Sequence, residues 1–139
     1  MVYFYPAAFT KGCNIEAHTF AENADKFAAA KATIIGVSQD SIARLNEFSS
    51  DPQYCAGKFP VASDADGAIT KAYNLSARKV ETAIKDSRGQ EITGTFTERT
   101  TFVITPDSKI VATLSSADDK VTPEEHVTKS LSLVEGMKK

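Results

Sequence analysis

Tryptophan is absent, and cysteine, histidine and methionine each occur only twice in the 139 residues. Two cysteines exclude a disulfide-stapled scaffold but suffice for a single redox pair. His18 and His126 stand far apart, and neither has metal-ligand spacing to a cysteine, so no metal site is expected. The net charge of −2 gives no broad basic surface for nucleic acid or for an anionic membrane. No apolar run approaches the roughly 20 residues that a membrane-spanning helix needs. There is no phosphate-cradling glycine loop and no nucleophile-elbow serine. Asp64-Ala65-Asp66-Gly67 lacks the remaining ligands of a calcium loop and reads as a turn and helix cap. Arg78, Lys79, Lys85 and Arg88 alternate with Glu81, Asp86 and Glu91, the pattern of a solvated mixed-charge segment.

The hydrophobic share of 42% is enough for an ordinary core, and the length fits one domain over residues 1–139. Val2 to Tyr5 reads as a short strand, apolar on both faces as a buried parallel strand should be. From Cys13 to about Ala30, apolar residues at Ile15, Ala17, Phe20, Ala24 and Phe27 have helical spacing. Ala32 to Ser38 is a second strand, and Asp40 or Ser41 caps a helix through Leu45 and Phe48 that ends near Pro52. Val61 to Ser63 is a third strand, followed by a short helix capped by Asp64 or Asp66. Residues 75 to 97 are polar, with little period. Thr100–Thr105 and Ile110–Leu114 form a hairpin about Pro106-Asp107-Ser108-Lys109, and Pro123 starts a last helix. This alternation predicts an α/β fold with an antiparallel end to its sheet.

The segment that carries chemistry is Tyr3-Phe4-Tyr5-Pro6-Ala7-Ala8-Phe9-Thr10-Lys11-Gly12-Cys13. A strand ends at a proline, a turn follows, and a cysteine opens a helix. A thiol at a helix N-terminus faces the positive end of the macrodipole and N–H groups without intrahelical partners. That setting favours the thiolate, the nucleophilic form. The competing reading is a buried structural cysteine.

Pro6, Thr10 and Cys13 form a P-x-x-x-T-x-x-C pattern, and Arg99 stands at the mouth of the strand Thr100-Thr101-Phe102-Val103-Ile104. Together these resemble the peroxiredoxins, and more narrowly the bacterioferritin comigratory protein (peroxiredoxin Q) subfamily. Ile35-Gly36-Val37-Ser38, Phe59-Pro60 and Ser63-Asp64-Ala65-Asp66-Gly67 fall in that family's order. The resemblance implies a thioredoxin-like fold, a mixed central sheet flanked by helices, and several dozen residues ahead of Met1, so the domain is expected to be incomplete at its N-terminus. It implies a peroxidase of hydrogen peroxide and organic hydroperoxides that needs no cofactor. Cys13 would be the attacking sulfur, Thr10 and Arg99 the groups that hold sulfur and peroxide, and Pro6 a wall of the pocket. Glu16 is either a first-turn carboxylate favoured by the dipole or a partner of Arg99. Many members place a second cysteine five residues after the first, and here that position is His18. Cys55 is then the resolving cysteine, or the enzyme works with one cysteine. The implied partners are the peroxide and a thioredoxin-like or glutaredoxin-like reductant, for a monomer or weak dimer. The expected compartment is the cytoplasm, or the periplasm if a signal segment lies upstream. The alternative function is a thioredoxin-fold binding or structural protein without turnover.

Overall fold

The computed structural model describes residues 1–79, 84–92 and 95–137; Glu81, one member of the mixed-charge segment, lies outside them. Five strands make the central sheet: β1 (Val2–Phe4), β2 (Ile35–Ser38), β3 (Val61–Ser63), β8 (Thr100–Ile104) and β9 (Ile110–Ser115), in the order β3-β2-β1-β8-β9. β1 runs parallel to β2, and β2 to β3. β8 runs antiparallel to both β1 and β9, so the sheet is mixed. The expected hairpin is present, and β1 lies at the centre with neighbours on both sides. Strand residues alternate between faces. Tyr3 and Val103 point into the main core, with Phe20 and Ala17 of α1 (Lys11–Glu22), Phe27 of α2 (Ala24–Ala29), Leu45 and Phe48 of α3 (Ile42–Ser50), and Val127 and Leu131 of α5 (Pro123–Gly136). Phe4, Val37 and Phe102 point the other way, against Tyr73 and Leu75 just after α4 (Ala68–Ala72).

Several boundaries differ from the sequence expectation. The first helix begins at Lys11, two residues ahead of Cys13, and breaks at Asn23 into α1 and α2. The Asn23 side-chain amide donates to the Thr19 carbonyl, and its backbone N–H is shared between Thr19 and Phe20. Such local bonds compete with helix continuation. Of the two candidates for capping α3, Ser41 does so, accepting from the Arg44 N–H. Asp40 instead turns inward, to the Ala8 N–H at 2.8 Å and the Ser38 hydroxyl at 2.6 Å. The cap of α4 is divided: Gly67 takes the N-cap position at φ 75°, Asp66 accepts from the Ala68 N–H, and Asp64 accepts from those of Ile69 and Thr70.

The described parts of residues 75 to 97 do include strands. β4 (Ala77–Lys79) pairs with β7 (Thr95–Thr97), and β5 (Ile84–Lys85) with β6 (Glu91–Ile92). At two or three residues each, they are too short for a period to register.

Gly36 sits where no larger residue fits. A Cβ there would stand 2.9 Å from the Tyr3 ring, which is itself packed on Phe20. Gly36→Ala is expected to cost about 1–3 kcal/mol by overpacking. A urea midpoint equal to that of the parent protein would show that the contact is soft.

Candidate active site

The turn from Pro6 to Thr10 places Cys13 in the first turn of α1. Phe9 has a left-handed φ of 63°, an uncommon conformation for a residue with a large side chain. The surroundings hold it there. The Phe9 carbonyl accepts from the Ser87 N–H at 2.8 Å, and the Arg88 guanidinium lies 3.5 Å from the centre of the Phe9 ring. Phe48 and Tyr54 pack edge-on against the same ring. The Ala8 carbonyl accepts from Arg44 at 2.6 Å, and Arg44 pairs with Asp40 and Asp86. Burial raises the Asp86 pKa, but the N–H groups of Gln90 and Arg88 and the Arg44 charge outweigh it and hold the carboxyl below its usual range. The β5–β6 turn thus clamps the cysteine loop, a role that the mixed-charge reading of this segment missed.

Cys13 is 1% exposed. The Arg99 Nη2 donates to its Sγ at 3.2 Å, and Nη1 donates to Glu16 Oε1 at 2.6 Å. Glu16 is three residues past Cys13 on α1, nearly one helical turn, so both face the same guanidinium. Of the two readings open for Glu16, the geometry selects the Arg99 partner. Thr10 occupies the N-cap without a side-chain cap; its hydroxyl donates to the Ala7 carbonyl at 2.8 Å and lies within reach of the sulfur. Pro6 and Arg99 line a cleft of about 310 Å³ whose wall includes Phe96, Ala77 and Ala117.

Burial raises the Cys13 thiol pKa above its ordinary value; the Arg99 charge, the Thr10 hydroxyl and the Ala7 backbone pull it down, and Glu16 pushes it up again. The expectation that the helix start by itself favours the thiolate is therefore corrected: exclusion of water outweighs the local donors in this closed arrangement. Arg99 is the main group opposing that cost. Burial disfavours the Arg99 charge, yet Cys13 and Glu16 more than offset this and raise its pKa. Glu16 is fully buried, which lifts its pKa to about 7 against the pull of Arg99.

The sequence reading passed over two residues. A Cβ on Gly12 would stand 2.9 Å from Arg99 Nη2, which is pinned by Glu16, and 3.4 Å from Pro123. Gly12 therefore gives the guanidinium its room, which a glycine directly before a cysteine could have suggested. His126 is wholly buried, between the Thr101 and Ser116 hydroxyls, with Nδ1 3.9 Å from Glu16 Oε2. Nothing in its local sequence signals this, because helical spacing on α5 does not reveal a partner on α1.

Cys55 lies in the turn after α3, fully buried in the same core as Cys13, and no disulfide joins the two. Burial, with Asp51 nearby, pushes its thiol up to about 12. His18, at the nearer resolving position, is exposed and pairs with Glu22. Among the described residues no group of three or more histidine, cysteine or acidic side chains is placed to hold a metal ion, and no helix is long and apolar enough to cross a membrane.

The sheet is thioredoxin-like, with a cysteine in the first turn of its leading helix and a largely buried arginine against the sulfur. The chain belongs to the AhpC/TSA family, whose pattern matches residues 1–113. It is 32% identical to peroxiredoxin Bcp of Xanthomonas campestris pv. campestris over 111 residues, covering 80% of this chain and 62% of that relative. The crystal structure of peroxidoxin BcpB from Mycobacterium tuberculosis superposes with a TM-score of 0.79 at 28% identity, over 99% of this chain and 79% of that one. A bacterioferritin comigratory protein of Xanthomonas campestris, studied for its alkyl peroxide reduction activity in trapped intermediate and ligand complexes, matches with a TM-score of 0.76 at 28% identity, covering 99% and 78% of the two chains.

Two outcomes are expected. With Cys55 replaced by serine, so that one thiol remains, Arg99→Ala should raise the Cys13 thiol pKa further and Gly12→Ala should raise it by less, read from ultraviolet thiolate absorbance against pH. Equal pKa values in all three proteins would mean that the guanidinium does not govern the sulfur. The second outcome concerns stability. The carboxyl of Glu16 binds its proton more tightly in the folded chain, so its contribution is fully present below the ordinary value of 4.5 and is lost as pH rises through about 7. Denaturant midpoints should fall across that window, and Glu16→Gln should flatten the fall.

Proposed function

We propose that this chain is a thiol-dependent peroxidase acting on hydrogen peroxide and organic hydroperoxides, with Cys13 as the peroxidatic residue. The observation that carries the reading is the Arg99 guanidinium, 3.2 Å from the Cys13 sulfur and held from behind by Glu16. The sulfur, as thiolate, attacks one peroxide oxygen. An S–O bond forms, the O–O bond breaks, and the distal oxygen leaves as hydroxide or alkoxide and takes up a proton. The leaving oxygen needs a donor placed where its charge develops, and Arg99 has further N–H groups beside the sulfur for that. The Thr10 hydroxyl supplies a second polar contact, and Pro6 lies with Arg99 on the wall of one cleft. The product is a sulfenic acid on Cys13.

Cys55 resolves it: its thiolate attacks the Cys13 sulfur, the S–S bond forms as the S–O bond breaks, and the departing hydroxide takes up a proton to become water. A thiol held at a pKa of about 12 in the core is a poor nucleophile where it stands. The segment from Asp51 to Lys58 must therefore open to bring Cys55 into water and to Cys13. Ala56 and Gly57, both at positive φ, mark the bend in that segment. A thioredoxin-like or glutaredoxin-like protein then reduces the disulfide. The reading places this chemistry in one domain, residues 1–139, acting as a monomer or weak dimer in the cytoplasm.

Cys13→Ser should abolish peroxide consumption with the fold intact, and retention of most of the rate would refute the assignment. Peptide mapping of peroxide-treated protein should find a Cys13–Cys55 disulfide within one chain. Cys55→Ser should react once and then stall or over-oxidise at Cys13. A stable sulfenic or sulfinic acid at Cys13 in the oxidised parent protein, with Cys55 still free, would instead mean a one-cysteine enzyme.

A further inference from the structure

Two polar residues at helix starts forgo capping. Thr10 stands at the N-cap of α1 in the extended conformation that capping uses, φ −93° and ψ 154°, yet its side chain caps nothing. A threonine there ordinarily accepts from the N–H two or three residues on, and the third residue is Cys13. The Thr10 hydroxyl donates instead to the Ala7 carbonyl at 2.8 Å. Asp40 directly precedes Ser41, the cap of α3, and turns its carboxylate to the Ala8 N–H at 2.8 Å.

The Ala7 carbonyl and the Ala8 N–H belong to one peptide group. A trans peptide is a rigid plane whose C=O and N–H point in opposite directions. Asp40 holds this plane on one side and Thr10 is held on the other, so the plane links a buried carboxylate to the hydroxyl within reach of the Cys13 sulfur. Asp40 is itself fixed by regular structure. Its Oδ2 also accepts from the hydroxyl of Ser38, the last residue of β2, at 2.6 Å, and its Oδ1 accepts from Arg44 Nε on α3 at 3.1 Å. Both members of that ion pair are largely buried. Arg44 Nη2 donates to the Ala8 carbonyl at 2.6 Å and so holds the next peptide as well. Two consecutive planes of the cysteine loop thus take their orientation from β2 and α3.

We propose that Asp40 is a positioning residue for the reaction at Cys13: through the Ala7–Ala8 peptide it sets where the Thr10 hydroxyl stands against the sulfur and the incoming peroxide. The bond to the Ala7 carbonyl selects one of the staggered rotamers of Thr10. A carboxylate accepting from the N–H end of a peptide polarises the group and strengthens its carbonyl as an acceptor, which tightens that selection. Without Asp40 the plane can tilt and the hydroxyl moves with it, and small misplacements at a reacting centre are costly in rate.

The role of Asp40 in the reaction rests on the peroxidase reading, and a double-mutant cycle separates the two. The single-turnover rate of Cys13 with hydrogen peroxide is measured in the parent protein, Asp40→Asn, Thr10→Val and the double variant. Asp40→Asn keeps the shape of the side chain but turns one of its two acceptors into a donor. It should slow the parent protein roughly tenfold. It should change the rate of Thr10→Val by less than about twofold, because the hydroxyl that Asp40 positions is already gone. In Thr10→Ser, which keeps a hydroxyl, the loss should return. Equal losses in the parent protein and in Thr10→Val would mean that Asp40 only supports the fold, and would overturn the proposal, as would an unchanged rate in Asp40→Asn. A parent protein that does not react with peroxide overturns the peroxidase reading and this role with it. Should Asp40→Asn fail to fold, the parent protein decides. Its Thr10 hydroxyl proton, identified by its loss in Thr10→Val, should exchange with water slowly enough to be seen by NMR. A freely exchanging hydroxyl has no fixed place and overturns the proposal.

Discussion

A single guanidinium joins the buried thiol of Cys13 to the buried carboxyl of Glu16. Arg99 is mostly buried, and so are Cys13 and Glu16, the two groups it touches. Burying one permanent charge is expensive, and burying it with two ionisable partners succeeds only when the geometry satisfies all three. Much of the architecture serves that requirement. The central position of β1 delivers the loop from Pro6 to Thr10. The first turn of α1 sets Cys13 and Glu16 nearly one turn apart, and β8 begins directly after Arg99 so that the side chain reaches both. Gly12 leaves the space in which the guanidinium lies.

The loop ahead of Cys13 depends on a second set of buried charges. Arg44, Asp40 and Asp86 tie α3 and the β5–β6 turn to the Ala8 backbone, while Arg88 stacks on Phe9 and pairs with Glu47. The clamp also touches the surroundings of Cys55, because Phe9, Phe48 and Tyr54 form one aromatic cluster and Tyr54 directly precedes Cys55. Opening the segment that holds Cys55 therefore means separating Tyr54 from the rings under the cysteine loop. In this way packing near one thiol bears on the loop that presents the other.

The parts of this arrangement that were legible in the sequence are those written locally or in a fixed order. β1, the β8–β9 hairpin, the Pro123 helix start and the turn that opens at Pro6 all follow from apolar runs, prolines and turn residues. The Thr122–Glu125 capping box at the head of α5 was equally available in sequence and was passed over. Cys13 and Arg99, which the family resemblance paired, lie in contact, and Glu16, left open between a first-turn carboxylate and a partner of Arg99, lies against the same guanidinium. The strands of residues 75 to 97 were not legible, since a two-residue strand has no period and depends on its partner. The burial of Cys13 and Cys55 was not legible either, and it reverses the simple argument from the helix dipole. His126 escaped because its partners, Glu16, Thr101 and Ser116, come from three other segments.

The central claim is that Arg99 acts on the departing oxygen as well as on the thiolate. It is tested by comparing two reagents on Cys13, with Cys55 replaced by serine: hydrogen peroxide, which needs a stabilised leaving oxygen, and an alkylating agent such as iodoacetamide, which does not. Both second-order rates should be measured in the parent protein and in Arg99→Lys and expressed per thiolate. The account predicts that Arg99→Lys lowers the peroxide rate by about 10²–10³, the usual cost of removing one well-placed oxyanion donor, and leaves the alkylation rate nearly unchanged. An equal fall in both rates would contradict it, because Arg99 would then matter only to the ionisation or accessibility of the sulfur.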